Sequence, residues 1–133
     1  MITADTSVLI AMLRPGHEFH RLARSALRGD EVRLVAHTAA ETFSELTGRR
    51  PRVAPRTALS VLRAIDREPL TLSARGYLGT LERCVDCGVV GGAVYDALIA
   101  ATAQEAGARL VSLDHRAAPT YAAIGVDFQL LQP

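Results

Sequence analysis

An α/β fold built on a parallel sheet is the expectation for this chain, and three observations carry it. Short apolar runs alternate with segments of helical period, the pattern of βαβ units. Two of those runs end on an aspartate, Asp5 and Asp114, as strands do where an open α/β sheet faces a ligand crevice. At 133 residues, 49% of them apolar, the chain suits one domain spanning 1–133 with a core that needs no staples.

The elements follow in order. Residues 1–5 read as a strand. A short helix near 7–13 ends at Arg14-Pro15-Gly16. Residues 17–29 read as a helix with Phe19, Leu22, Ala23, Ala26 and Leu27 on one face, stopped by Gly29. Arg33-Leu34-Val35-Ala36 is a second strand, and Thr38 to about Gly48 a helix. A basic, proline-punctuated loop carries Arg49, Arg50, Arg52 and Arg56. A helix over 56–66, a short strand Leu70-Thr71-Leu72 and a helix over 74–86 lead to the break at Gly91-Gly92. A helix over 94–106 ends at Gly107. A strand over 109–113, a helical stretch over 117–123 and a strand over 126–130 complete the chain.

Composition removes several classes. All 15 basic residues are Arg, so any mechanism that requires a lysine is excluded, and the net charge of +1 neither demands nor forbids a nucleic-acid partner. The start has no positive region before an apolar stretch, and no uncharged apolar run approaches the roughly 18 residues of a membrane span. The expected compartment is the cytoplasm. Cys84 and Cys87 form a C-x-x-C without the second pair of a zinc site, and read as reduced thiols near a helix end. His17, His20, His37 and His115 show no metal-ligand spacing and read as surface or capping residues.

Four carboxylates stand inside apolar runs: Asp5, Glu41, Asp96 and Asp114. A buried unpaired carboxylate costs several kcal/mol, so each needs a partner or a proton. If they converge, a hard divalent cation bound through oxygen accounts for all of them. Each also has a local reading. Asp5 and Asp114 could cap the helices that follow them. Asp96 could serve the first-turn dipole of its helix, although Ile99, Ala100 and Ala103 share its side. Thr38-Ala39-Ala40-Glu41 matches a capping box. The hydroxyls of Thr6, Ser7 and Ser112 could orient the acids or hold bound water.

Taken together, Asp5-Thr6-Ser7 after the first strand, the helix from His37 to Thr47, Tyr95-Asp96-Ala97-Leu98-Ile99-Ala100, and Leu110-Val111-Ser112-Leu113-Asp114 resemble the PIN-domain family. The resemblance is closest to the VapC toxins of toxin–antitoxin pairs and runs the length of the chain. It implies a three-layer α/β/α sandwich with a central, mostly parallel sheet, and a Mg²⁺- or Mn²⁺-dependent ribonuclease leaving 5′-phosphate and 3′-hydroxyl ends. By that resemblance Asp5, Glu41, Asp96 and Asp114 are the metal-binding and catalytic quartet, with Ser112 at the family's Thr/Ser position and Thr6 in support. His115 stands where an Arg is common, leaving Arg116 as the nearby cation, and Glu45 is a second candidate for the family's glutamate. The resemblance also implies a VapB-like antitoxin, an RNA substrate, and a homodimer that becomes a heterotetramer or larger with the antitoxin.

Carboxylates repel RNA, and Arg49, Arg50 and Arg52, with Arg116, are the candidate phosphate contacts. Receiver domains and haloacid-dehalogenase-type phosphatases also carry acids at strand ends. Both normally require a lysine, which is absent, and the phosphatase expects an aspartate where Ser7 stands. The competing reading from another class is a PIN fold retained as a non-catalytic RNA- or partner-binding module.

Overall fold

The computed structural model describes residues 1–133. In chain order the elements are β1 (Ile2–Ala4), α1 (Thr6–Leu13), α2 (His20–Leu27), β2 (Val32–Arg33), α3 (Ala36–Gly48), α4 (Pro55–Ile65), α5 (Ala74–Cys87), α6 (Ala93–Ala106), β3 (Arg109–Ser112), α7 (Ala118–Ile124) and β4 (Phe128–Leu130). The strands form one parallel sheet in the order β2-β1-β3-β4, with Ala4 opposite Val111 and Ser112 opposite Leu130. The chain leaves β1 toward one edge and returns at β3 on the other side. The boundary between β1 and β3 is therefore a topological switch point, where the strand ends open a crevice.

Side-chain alternation along the strands divides the core into two layers. Leu110 packs with Ile99, Ala100, Ala103, Tyr121 and Ile124, on the side of α6 and α7. Its neighbour Val111 packs with Ile2, Ala4, Leu9, Leu34 and Leu62, on the side of α1, α2 and α4. Helices thus cover both faces, giving the α/β/α sandwich. Within α6 the run Ala97–Ala103 is buried throughout, and its small alanines let the helix lie close to the sheet.

Several boundaries differ from expectation. The second strand is Val32–Arg33 rather than 33–36, because Val35 and Ala36 already open α3. Leu70-Thr71-Leu72 contributes a single bridge, Leu70 to Val35, because only one register position of the short β2 end reaches it. The second helix begins at His20 rather than 17, since the His17 ring nitrogen takes the Phe19 amide at 3.1 Å and holds the preceding turn outside the helix. The third helix starts at Ala36, so Thr38 lies inside it and the capping box does not form. Thr38, Thr42 and Thr3 carry buried hydroxyls with no hydrogen-bond partner. Both cysteines are free thiols, with Cys84 buried near the end of α5 and Cys87 exposed. No helix is long and apolar enough to cross a membrane.

Candidate active site

Asp5 follows β1 directly, and Asp114 lies two residues beyond β3. Because β1 and β3 are neighbours in register, both acids stand over the switch point. Asp5 is 4% exposed, and its carboxylate is held by donors from four places. Oδ1 accepts from the Ser7 hydroxyl and from the Val8 amide at 3.3 Å. Oδ2 accepts from the Ser112 hydroxyl and from the Tyr121 phenol at 2.8 Å. Asp5 is therefore the N-cap of α1, as its local reading allowed. It is also the centre of a hydroxyl cage drawn from α1, β3 and α7. Burial still dominates these donors and raises its pKa. The same contact, with burial foremost, pushes the Tyr121 phenol upward, so it remains a donor.

The other acids approach from separate elements. Asp96 lies in the first turn of α6. Its pKa is pushed up to about 6, first by burial and then by the charges of Asp114, Asp5 and Glu41, with His37 opposing. The charges of the other three acids thus reach Asp96, which puts all four on the same side of the molecule, near the carboxyl ends of β1 and β3. Glu41, on α3, accepts from the Thr6 hydroxyl at 3.0 Å and lies 3.9 Å from the His37 ring. The Asp114 backbone amide donates to the Ser112 hydroxyl at 2.9 Å, and its carboxylate accepts the Arg116 amide at 2.9 Å. The side chains of Glu41 and Asp114 are 41% and 38% exposed, so the crevice has a buried floor at Asp5 and an open mouth.

The donor chemistry fits a hard divalent cation: the acids are all oxygen donors, and their mutual repulsion, recorded at Asp96, is what a cation relieves. They do not form a closed cage as they stand. No three His, Cys, Asp or Glu side chains are placed to clasp one ion. Asp5 is turned into its hydroxyls. An open site of this kind suits Mg²⁺, which takes few protein ligands and keeps several waters.

The arginines fall in two places. Arg14 reaches from the end of α1 to the carbonyls of Pro51, Glu45 and Arg49, at 2.8, 3.2 and 3.3 Å, and pins the basic loop. Arg49, Arg50 and Arg52 are exposed on that loop. Eight residues of helix separate Glu41 from Arg49, about 12 Å along the axis. Arg116 lies at the crevice mouth, 97% exposed and 3.9 Å from Asp114. Sequence reasoning missed Tyr121, whose phenol reaches Asp5 across 116 positions. It also missed the stacking of His37 on Tyr95. Neither carries a spacing signal, because both depend on how α7, α3 and α6 pack.

The fold and site define an α/β protein with an acidic crevice at its sheet switch point. The PIN domain model matches residues 2–122. Ribonuclease VapC40 of Mycobacterium tuberculosis is 43% identical over 135 residues, covering 98% of this chain and 99% of that protein. Ribonuclease VapC27 of the same organism is 39% identical over 127 residues, covering 94% and 93%. Among solved structures, M. tuberculosis VapC20, a Sarcin-Ricin loop cleaving toxin, superposes with a TM-score of 0.72 at 21% identity over 100% of both chains. FitAcB from Neisseria gonorrhoeae gives 0.71 at 23% identity over 96% of both. VapBC2 from Rickettsia felis, bound to a promoter DNA fragment, gives 0.71 at 15% identity, over 99% of this chain and 100% of that one. The chain belongs to the PIN-domain family, and within it is a homologue of the VapC ribonuclease toxins.

Proposed function

We propose that this chain is the ribonuclease toxin of a toxin–antitoxin pair, hydrolysing RNA phosphodiester bonds at the crevice over β1 and β3. The observation that carries the reading is the β1/β3 switch point, where Asp5 is fixed by Ser7, Ser112 and Tyr121 and Asp114 stands two residues beyond the neighbouring strand, with the charges of both reaching Asp96. Four acids at one strand edge would suit phosphodiester hydrolysis, and the relatives are ribonucleases.

Asp5, Asp96 and Asp114 would hold a Mg²⁺ or Mn²⁺ ion, with Glu41 beside them. Such an ion, when bound, supplies a water acidic enough to attack at neutral pH and neutralises charge building on the phosphoryl oxygens. The chain's own residues do the positioning. Ser7, Ser112 and Tyr121 fix the direction of Asp5. Thr6 holds Glu41 toward the crevice, where it would orient the attacking water. Arg116 at the mouth and Arg49, Arg50 and Arg52 on the loop would draw the RNA backbone past the acids.

The partner is a cognate VapB-like antitoxin, a reading supported by the solved neighbours that are toxin–antitoxin complexes. Self-association to a homodimer, and to a heterotetramer or larger with the antitoxin, is supported by α5, which leaves Leu78, Leu81 and Val85 exposed along one side. Retention of all four acids speaks against a non-catalytic binding module.

The test is cleavage of structured RNA by the purified chain with Mg²⁺. Cleavage should stop with EDTA and be lost in Asp5→Asn. Activity that survives both would place the chemistry elsewhere.

A further inference from the structure

Beside the acids lies a feature that cleavage chemistry does not use. The rings of His37 and Tyr95 are parallel within 3°, their centroids 5.2 Å apart. The pair is not core: Tyr95 is 53% exposed and the His37 side chain 37%. It stands next to two of the carboxylates along the chain. Tyr95 precedes Asp96 on α6, and His37 lies 3.9 Å from Glu41 on α3. His37 also borders a cavity of about 230 Å³ lined by Thr71, Leu72, Tyr77, Leu98 and Thr102. That is smaller than the roughly 300–1,000 Å³ of a site for a drug-sized ligand, and suits one flat ring system. Its walls are largely apolar. The Thr102 hydroxyl is spent on the Leu98 carbonyl at 2.6 Å, whereas Thr71 and Tyr77 are exposed lining residues whose hydroxyls make no hydrogen bond within the protein.

We propose that the His37–Tyr95 stack and the adjoining cavity form a nucleobase subsite, which receives an unpaired base of the RNA strand next to the bond being cut. The inference rests on the ribonuclease reading and specifies how its substrate is held. Acids on either side would repel a phosphate but not a neutral base. Single-stranded RNA is commonly held by bases stacked on aromatic side chains, and any base offers a π-face. The subsite therefore requires an unpaired nucleotide, and hydroxyls at the cavity wall give it a means of preferring one base edge.

The experiment measures binding of fluorescently labelled single-stranded RNA to the full-length chain in EDTA, by anisotropy. The base-bearing oligomer is compared with versions made abasic at each position in turn. With the wild-type chain one abasic position should weaken binding by about 5- to 100-fold, the range of a single base–aromatic stack. Tyr95→Ala should lose the same factor on the base-bearing RNA and nothing further on that abasic version. Tyr95→Phe, which keeps the ring, should retain wild-type binding, and His37→Ala should repeat the loss from the other half of the stack. Melting curves of each variant confirm the fold. Tyr95→Ala binding base-bearing RNA as tightly as wild type, or weakening equally on both RNAs, would overturn the subsite and leave the shelf to a protein partner. With Mg²⁺ present, the subsite expects Tyr95→Ala to raise KM more than it lowers kcat. A wild-type chain that binds with the abasic difference but never cleaves would sink the ribonuclease reading alone. Wild-type cleavage with an unaltered KM in Tyr95→Ala would sink the subsite alone.

Discussion

Replacing Asp96 with asparagine should stabilise the metal-free protein while abolishing its activity. The Asp96 carboxyl is pushed from the ordinary aspartate value of 3.8 to about 6, and the causes are burial and the neighbouring acids, with no hydrogen bond among them. The folded state therefore binds the Asp96 proton more tightly than the unfolded chain does. Stability is greatest below the unfolded value and falls as pH rises from about 4 through about 6. Fully expressed, that difference is about 3 kcal/mol at 1.36 kcal/mol per pKa unit. The carboxyl is only half removed from water, so solvent screening brings the expected cost to about 1–2 kcal/mol. Asparagine has the same shape and no charge, and no protein donor is lost. Urea denaturation in EDTA at pH 7.5 should show Asp96→Asn more stable by that amount. At pH 4.5 the folded carboxyl keeps its proton, and only about a third of the advantage should remain. The groups facing Asp96 are Asp5, Glu41 and Asp114, with His37 opposing. An equal gain at both pH values, or none at pH 7.5, would refute the raised Asp96 pKa on which this reasoning rests.

Three further outcomes are expected. Tyr121→Phe keeps the buried ring against Phe128 but removes the 2.8 Å donor to Asp5, and should cost about 1.5–3 kcal/mol, read as a lower melting temperature. Thr42→Val removes a buried hydroxyl that has no partner, and should raise stability by about 1 kcal/mol in the same melt. Arg50→Gln with Arg52→Gln should flatten the salt dependence of RNA binding by about 1.4 in the logarithmic slope, and an unchanged slope would remove the loop from the phosphate contacts.

The parts of this molecule legible in its sequence are those governed by local period. Leu110-Val111-Ser112-Leu113 reads as a strand and Ala97–Ala103 as a buried helix, because each pattern is complete within a few residues. Asp96 stood out because its helical neighbours Ile99, Ala100 and Ala103 are apolar, and they are buried. Glu41 was ambiguous because Thr38 at the right spacing imitates a cap, and only the start of α3 at Ala36 separates the two readings. Tyr121 was invisible for a different reason. Its role exists only once α7 folds back over the strand end that carries Asp5, and no window of sequence contains both.

The uneven burial of the four acids follows from the topology and explains why they gather without closing. Asp5 is tied three ways: to the end of β1, to the first turn of α1, and through Ser112 and Tyr121 to β3 and α7. It cannot move without disturbing four elements. Glu41 and Asp114 have one side-chain hydrogen bond each, from Thr6 and from the Arg116 backbone, besides loose ion pairs at 3.9 Å with His37 and the Arg116 side chain, and both are more than a third exposed. Asp96 has no such tie. One fixed acid beside three less constrained ones avoids packing four anions rigidly together, a cost that burial would multiply. The adjustable acids can then turn toward positive charge when it arrives.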